Sequence, residues 1–347
     1  MSPDQNWDRS AGNVIDRLVS LDLREREHAS SPNLIRDLYE SALKEAEEPL
    51  TYGAARALRE ELEPRDTVLI VTGAGVPPWL PYRETDGPPG AVGLAHGLAV
   101  ALGARPVIAI EERSREPLVA ATHAMGLVDV PYDILQNRNT AVSIASYPEG
   151  KDGSEAAATE LLATYDPQAV IAVEKMGPNS EGAIMEGEDL TEGHAWVAPL
   201  FDIANERDIL TVGIGDRGNE IGFGRIEDEV DAAYAASEGF TGTACRVPTD
   251  HLVVSGTSNW GAYGIEAMLA LLTETPEAMH MAEQEIRVLE HHTIAGSADA
   301  ITHKSKNYVD GTAEEVQRGI VGILHNIVEN RLSVYDKIER REQGQEE

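Results

Sequence analysis

Six short runs of the chain are apolar almost without interruption: Thr67 to Thr72, Pro106 to Ile110, Val142 to Ser146, Ala169 to Val173, Ile209 to Ile214 and Leu252 to Ser255. A strand with one face in water alternates apolar and polar side chains, so runs of this kind belong in a sheet covered on both faces. Helix-like stretches lie between them, among others Gly90 to Leu102, Glu116 to Met125, Glu155 to Thr164 and Ala198 to Glu206. Strand and helix in alternation specify an α/β fold, a three-layer, mostly parallel, doubly wound sheet.

The flanks read differently. Residues 1–63 form an N-terminal helical extension, with helices over Val14 to Leu23, Asn33 to Glu47 and, after Thr51 as N-cap, Tyr52 to Leu62. Such helices either cover a sheet edge or make a homo-oligomer. Residues 64–330 hold the α/β domain, whose last part, Glu277 to His292 and Thr312 to Glu329, is helical again, and 331–347 is expected as an acidic tail.

Charge narrows the partners. Asp and Glu number 60 against 28 Lys and Arg, a formal charge of -32, while 42% of residues are hydrophobic. The apolar content is enough for a core, so this is not a disordered acidic chain. Phosphate backbones and anionic lipids would be repelled, which excludes nucleic acid and membrane surfaces and leaves a small-molecule substrate. Only six of the cations are lysine, and avoidance of lysine beside so many carboxylates fits a halophile, where the Debye length shrinks to about 3 Å near 1 M salt. Cys245 is the single cysteine, which rules out an internal disulfide and a cysteine zinc site. Met1 to Ser10 is polar and carries no apolar signal region, so a cytoplasmic protein is expected.

In a parallel sheet, ligands bind beyond the carboxyl ends of the strands. Four loops there are rich in glycine and polar side chains. They are Thr72-Gly73 with Glu84 to Gly90, Glu174 to Asn179, Gly215 to Gly224, and Gly256 to Gly264. Each alone could be a tight turn or a helix cap; four at one rim make a pocket. Gly213, Gly215 and Gly218 also match a dinucleotide fingerprint, but Asp216 and Glu220 would repel a pyrophosphate, so no nucleotide cofactor is expected. The carboxylates Asp86, Glu174, Asp216 and Glu220, with Asn219 and Asn259, are hard oxygen donors suited to Mg²⁺ or Mn²⁺, and Asp216 and Glu220 are the candidate metal ligands. Without a metal, crowding should raise a carboxyl pKa and create a general acid or base.

These loops also carry a resemblance. Glu84 to Ala91 (ETDGPPGA), Ala172 to Gly177 (AVEKMG), Gly213 to Gly224 (GIGDRGNEIGFG) and Ser258 to Tyr263 (SNWGAY), in this order, resemble the D-glutamate cyclase family over about residues 66–325, and Val309-Asp310-Gly311 looks like its final segment. Arg217 stands where the family loop usually has glycine, and Lys175 where arginine is common. The resemblance implies an α/β lyase converting D-glutamate to 5-oxo-D-proline and water. Such a reaction needs a base, an acid or metal, and clamps for carboxylates. Glu174, Asp216 and Glu220 can supply the first two. Lys175 and Arg217 suit a substrate carboxylate, and Thr72, Asp86, Gly87, Asn219, Ser258 and Asn259 complete the expected binding site. Two other readings stay open: a different metal-assisted lyase or hydrolase on a small amino or carboxylic acid, and a non-enzymatic nucleotide- or metal-binding module.

Overall fold

Each of the six apolar runs forms a strand. In a computed structural model, which describes residues 3–23, 33–237 and 242–342, the strands are β1 (Thr67–Thr72), β2 (Arg105–Glu111), β3 (Val128–Asp129), β4 (Ala141–Tyr147), β5 (Ala169–Val173), β6 (Met185–Glu186), β7 (Glu188–Asp189), β8 (Leu210–Gly215) and β9 (His251–Val254). β6 and β7 make a small antiparallel hairpin. The other strands form one parallel sheet in the order β3-β4-β2-β1-β5-β8-β9. β1 lies at its centre, with Val68 opposite Pro106 on one side and Ala169 on the other. The chain builds one wing through β2 and β4, then returns to β5 on the far side of β1. The crevice between the carboxyl ends of β1 and β5 is therefore the switch point at which such sheets bind ligands.

The helices are α1 (Pro3–Val19), α2 (Leu34–Ala46), α3 (Leu50–Glu61), α4 (Pro88–Ala101), α5 (Arg115–Met125), α6 (Tyr132–Leu135), α7 (Ser154–Tyr165), α8 (Ala198–Glu206), α9 (Glu227–Ser237), α10 (Ser258–Leu272), α11 (Ala282–Ile294) and α12 (Glu314–Glu342). α4 and α10 are buried nearly throughout and touch backbone to backbone. A Cβ on Gly90 would stand 2.8 Å from Asn259 Cα, and one on Gly97 2.7 Å from Glu266 Cγ. Glycines three and four residues apart along α4 thus bring the starts of both helices to one place.

The helices of the described part of residues 1–63 pack onto the sheet domain. Ile15 and Val19 of α1, Leu34 and Leu38 of α2 and Leu58 of α3 belong to the same core as Leu69 and Leu269, and these helices cover β9 and α10. The N-cap assignment changes too. α3 starts at Leu50, and its first amides are held from a distance: Asp16 of α1 accepts Leu50 N at 2.6 Å and Thr51 N at 3.1 Å. Thr51 itself donates its hydroxyl to Asp16. α12 continues through residues 331–342, so the expected acidic tail is helical as far as Glu342, and residues 343–347 lie outside the described residues. Trp260 and Tyr263 are core residues, with Trp260 Nε1 donating to Gln317 at 2.6 Å. His292 is buried between the Pro117 and Glu84 carbonyls. No described helix is long and apolar enough to cross a membrane.

One buried ionic group locks α10 to α11. His280 meets Glu266 through Nδ1 at 2.6 Å and Glu285 through Nε2 at 3.7 Å, and Tyr263 donates its hydroxyl to Glu285 at 2.7 Å. Burial alone would push the His280 pKa down, but Glu266 and Glu285 outweigh it and raise the value from 6.5 to about 10. The folded state therefore holds a proton that the unfolded chain releases near 6.5. Its contribution to stability is complete below that pH and is lost as the pH rises through about 10. Urea melts across this alkaline window should show falling stability in the wild type, and His280→Gln should flatten the slope.

Candidate active site at the switch point

The carboxylates and loops meet at the ends of β1, β5, β8 and β9. Two triads of buried carboxylates share Asp216, namely Asp86–Asp216–Asp310 and Glu174–Asp216–Glu220, and within each triad the oxygens lie within 4.8 Å of one another. Glu84 is buried as well, and the charges of Asp310, Glu186, Asp86 and Asp216 act on it. Burial first, then these neighbouring carboxylates, push Glu84, Asp86 and Glu174 well above the usual carboxylate range. A buried cluster of this kind takes up cations or protons.

The members differ in how their oxygens are used. Asp86 accepts the amides of Gly87 at 3.0 Å and of Ser258 and Asn259 at 2.8 Å each, capping the start of α10. Asn259 returns the arrangement: its Oδ1 accepts Gly87 N at 2.9 Å and Gly90 N at 2.7 Å, capping α4, and its Nδ2 donates to Thr85 O at 2.9 Å. Each loop thus caps the other's helix, which fixes Asp86 beside Asp216 and Asp310.

Glu220 has a similar local duty. It accepts Asp216 N and Arg217 N at 2.9 Å each and Gly218 N at 2.7 Å. These are the amides a pyrophosphate would need at the fingerprint, and Glu220 occupies them. The glycines serve this fold-back: a Cβ on Gly213 would stand 2.4 Å from Ile221 O. Glu220 is accordingly the staple of the loop that presents Asp216. Glu174 is less encumbered. It follows β5 with a left-handed φ of 45°, and its Oε2 accepts the Ser258 hydroxyl. Next to it the Thr72 hydroxyl is buried with no hydrogen-bond partner among the described residues.

The cationic residues part company. Arg217 is partly exposed, 3.7 Å from Glu186. Burial lowers its pKa, but Tyr234, Glu186, Asp216 and Asp310 outweigh this and raise it overall. Lys175 turns away into a second buried group, where its Nζ lies 2.6 Å from Glu111 Oε1 and 2.9 Å from Gly73 O. Its ammonium is used inside the fold. The Asn219 side chain donates to Met185 O at 3.1 Å and ties the loop to the β6–β7 hairpin.

Asp310 is the member that the strand-end rule missed, and Glu84 lies in a loop the rule reached without being singled out there. Asp310 lies 56 positions past the end of β9, in the loop after α11, at a left-handed φ of 49°. The Asp310-Gly311 pair was the available signal. Gly87 shows how tightly the site is built. It has φ 94°, and a Cβ there would stand 2.6 Å from Glu174 Cβ and 2.9 Å from Thr72 Oγ1. Gly87→Ala should cost about 1–3 kcal/mol in backbone strain alone and displace Glu174; a urea melt and a turnover assay would both register the change.

A family model described as "D-glutamate cyclase-like, C-terminal" matches residues 17–324. The human protein named "D-glutamate cyclase, mitochondrial" is 30% identical over 204 residues, which are 55% of this chain and 30% of the human protein. The chain thus aligns with under a third of that relative's length, and the family match takes in α2, α3 and most of the helical region that precedes the sheet. This chain belongs to the D-glutamate cyclase-like family.

Proposed function

We propose that the chain is a lyase that closes D-glutamate to 5-oxo-D-proline with release of water. The observation that carries the reading is the buried set Glu84, Asp86, Glu174, Asp216 and Asp310 at the switch point, in a chain of the cyclase-like family. Glutamate brings an ammonium group and two carboxylates. In ring closure the nitrogen bonds to the γ-carboxyl carbon and gives up two protons, while one carboxyl oxygen takes up two protons and leaves as water. No net proton is consumed, so a single carboxyl that accepts from nitrogen and returns to oxygen suffices.

Glu174 is the group assigned to this transfer, because its raised pKa suits both directions and the Ser258 hydroxyl orients it. Asp216 and Asp310 hold positive charge in the cluster, and Asp86 and Glu220 fix the loops around them. The unpartnered Thr72 hydroxyl can donate to the developing oxyanion. Arg217 meets the α-carboxylate in place of Lys175. Holding amine and γ-carboxyl together can remove about 7–11 kcal/mol of the barrier.

The oxygen-rich triads fit a divalent ion such as Mg²⁺ or Mn²⁺, with Asp216 as the shared ligand and Asp86, Asp310, Glu174 and Glu220 beside it. Such an ion would polarise the γ-carboxylate as a Lewis acid. Its affinity should fall as the pH drops, since the protons that the crowded carboxyls take up compete with it. Incubating metal-free protein with D- and L-glutamate, with and without Mn²⁺ or Mg²⁺, tests the proposal. The expected product is the lactam of the D-isomer; no lactam under any of these conditions would sink the reading.

A further inference from the structure

At the amino ends of the strands, in a molecule dominated by carboxylates, two arginines stand together with no acidic partner among the described residues. A cleft of ≈ 610 Å³ opens between the last turn of α4 and the loop joining α6 to β4, lined by Arg65, Arg105, Gln136, Asn137, Asn139 and Thr140. Such a volume suits a small molecule. Arg105 is only 5% exposed. Its Nη1 donates to Gly103 O at 2.8 Å and to Ala104 O at 3.3 Å and its Nη2 to Asn139 Oδ1 at 3.3 Å, while its Nε is buried with no acceptor among the described residues. Arg65 has a left-handed φ of 83° and donates one Nη2 bond to Gln136 O at 2.9 Å.

Among the described residues neither guanidinium comes within 4.0 Å of a carboxylate. Asp66, next in sequence to Arg65, is turned to the amide of Glu63 at 2.8 Å. With 60 acidic residues to draw on, pairing these cations would have been simple. Instead, burial and the neighbouring Arg65 charge press the Arg105 pKa down, and the rest of the lining is uncharged: the amides Gln136, Asn137 and Asn139, the Thr140 hydroxyl, and the apolar Pro64, Ala99, Val100 and Gly103. A bound anion would supply the missing countercharge and an acceptor for Arg105 Nε.

We propose that this cleft binds a small ligand through an oxyanion, a phosphate or carboxylate group held between Arg65 and Arg105. The ligand is not the reacting substrate: α4 has its N-terminus at the Asp86–Asn259 network and its C-terminal turn at the cleft, and its 14 residues separate the two sites by about 20 Å.

The probes are inorganic phosphate and citrate, titrated into the metal-free full chain at ionic strength held constant with sodium chloride. Each is followed by calorimetry and by melting temperature. A saturable isotherm with at least one probe is expected, with a melting temperature that climbs with its concentration. Which probe binds tells phosphate from carboxylate recognition. Arg65 is exposed, so Arg65→Gln should fold normally and weaken binding about tenfold. Arg105→Gln should abolish binding; if it does not fold, Asn139→Ala, which frees the Arg105 Nη2, serves as the second variant and should also alter affinity. A melting temperature that follows ionic strength alone, or an isotherm unchanged in Arg65→Gln, overturns the proposal. Turnover is not read in any arm, so the outcome is independent of the cyclase reading.

Discussion

Asp216→Asn should abolish lactam formation, lowering kcat by on the order of 10³-fold or more, and leave the protein folded. Asp216 is the member common to both carboxylate triads, so removing its charge empties the centre of the cluster whichever triad holds the cation. Asn keeps the shape of Asp and removes only charge. The loop should survive, because its amides are held by Glu220 and not by the Asp216 side chain. Stability should be equal or higher, since a buried like charge disappears from beside Asp86, Glu84 and Glu174. Lactam assays with matched denaturant melts would check both halves. Full turnover in Asp216→Asn would remove the site from consideration. A matching loss in Glu220→Gln accompanied by a lower denaturant midpoint would mark that residue as the loop staple described above.

The sheet was legible because burial on both faces leaves a simple trace. Six of the seven parallel strands begin within one residue of an apolar run, and β1 and β5 coincide with theirs. β3 left no such trace, because it is two residues long at the edge of the sheet and its Val128 is exposed. α9 was equally hidden: it opens with Glu227, Asp228 and Glu229, and so many charges obscure any apolar face. The cap of α3 could not be read locally at all, since Asp16 reaches it from 34 residues upstream.

The site was legible as a set of loops, less so as a set of side chains. Strand-end placement and glycine content picked out Asp86, Glu174, Asp216 and Asn259, which do converge. They could not tell which way neighbouring residues face. Glu174 and Lys175 are adjacent, yet one enters the acidic cluster and the other the Glu111 group, because of the left-handed turn at Glu174. Nor could position separate Glu220, whose oxygens serve backbone amides, from Asp216 four residues before it. Asp310 was beyond reach of a strand-end argument, as it follows a helix.

Lys175→Met should destabilise the fold by about 3–5 kcal/mol, a large share of an ordinary domain's stability. Lys175, Arg83, Glu111 and His194 are buried together, with Glu111 3.0 Å from Arg83 and 2.6 Å from Lys175, so removing one partner strands charge in the interior. Burial alone would raise the Glu111 pKa, but Lys175 and Arg83 outweigh it and bring it down to about 2. Burial and the same two cations push His194 to about 3. Both values lie below those of the unfolded chain, 4.5 and 6.5, so the linkage has one sign. The His194 contribution is present above 6.5 and is lost as the pH falls through about 3; that of Glu111 is present above 4.5 and is lost through about 2. Acid melts should therefore steepen through this window, and Glu111→Gln should remove the Glu111 share of the slope below 4.5. In a double-mutant cycle, Glu111→Gln with Lys175→Met should cost less than the sum of the single changes, because the two charges vanish together. A lysine that clamps substrate would behave otherwise, raising KM while leaving the denaturant midpoint where it was.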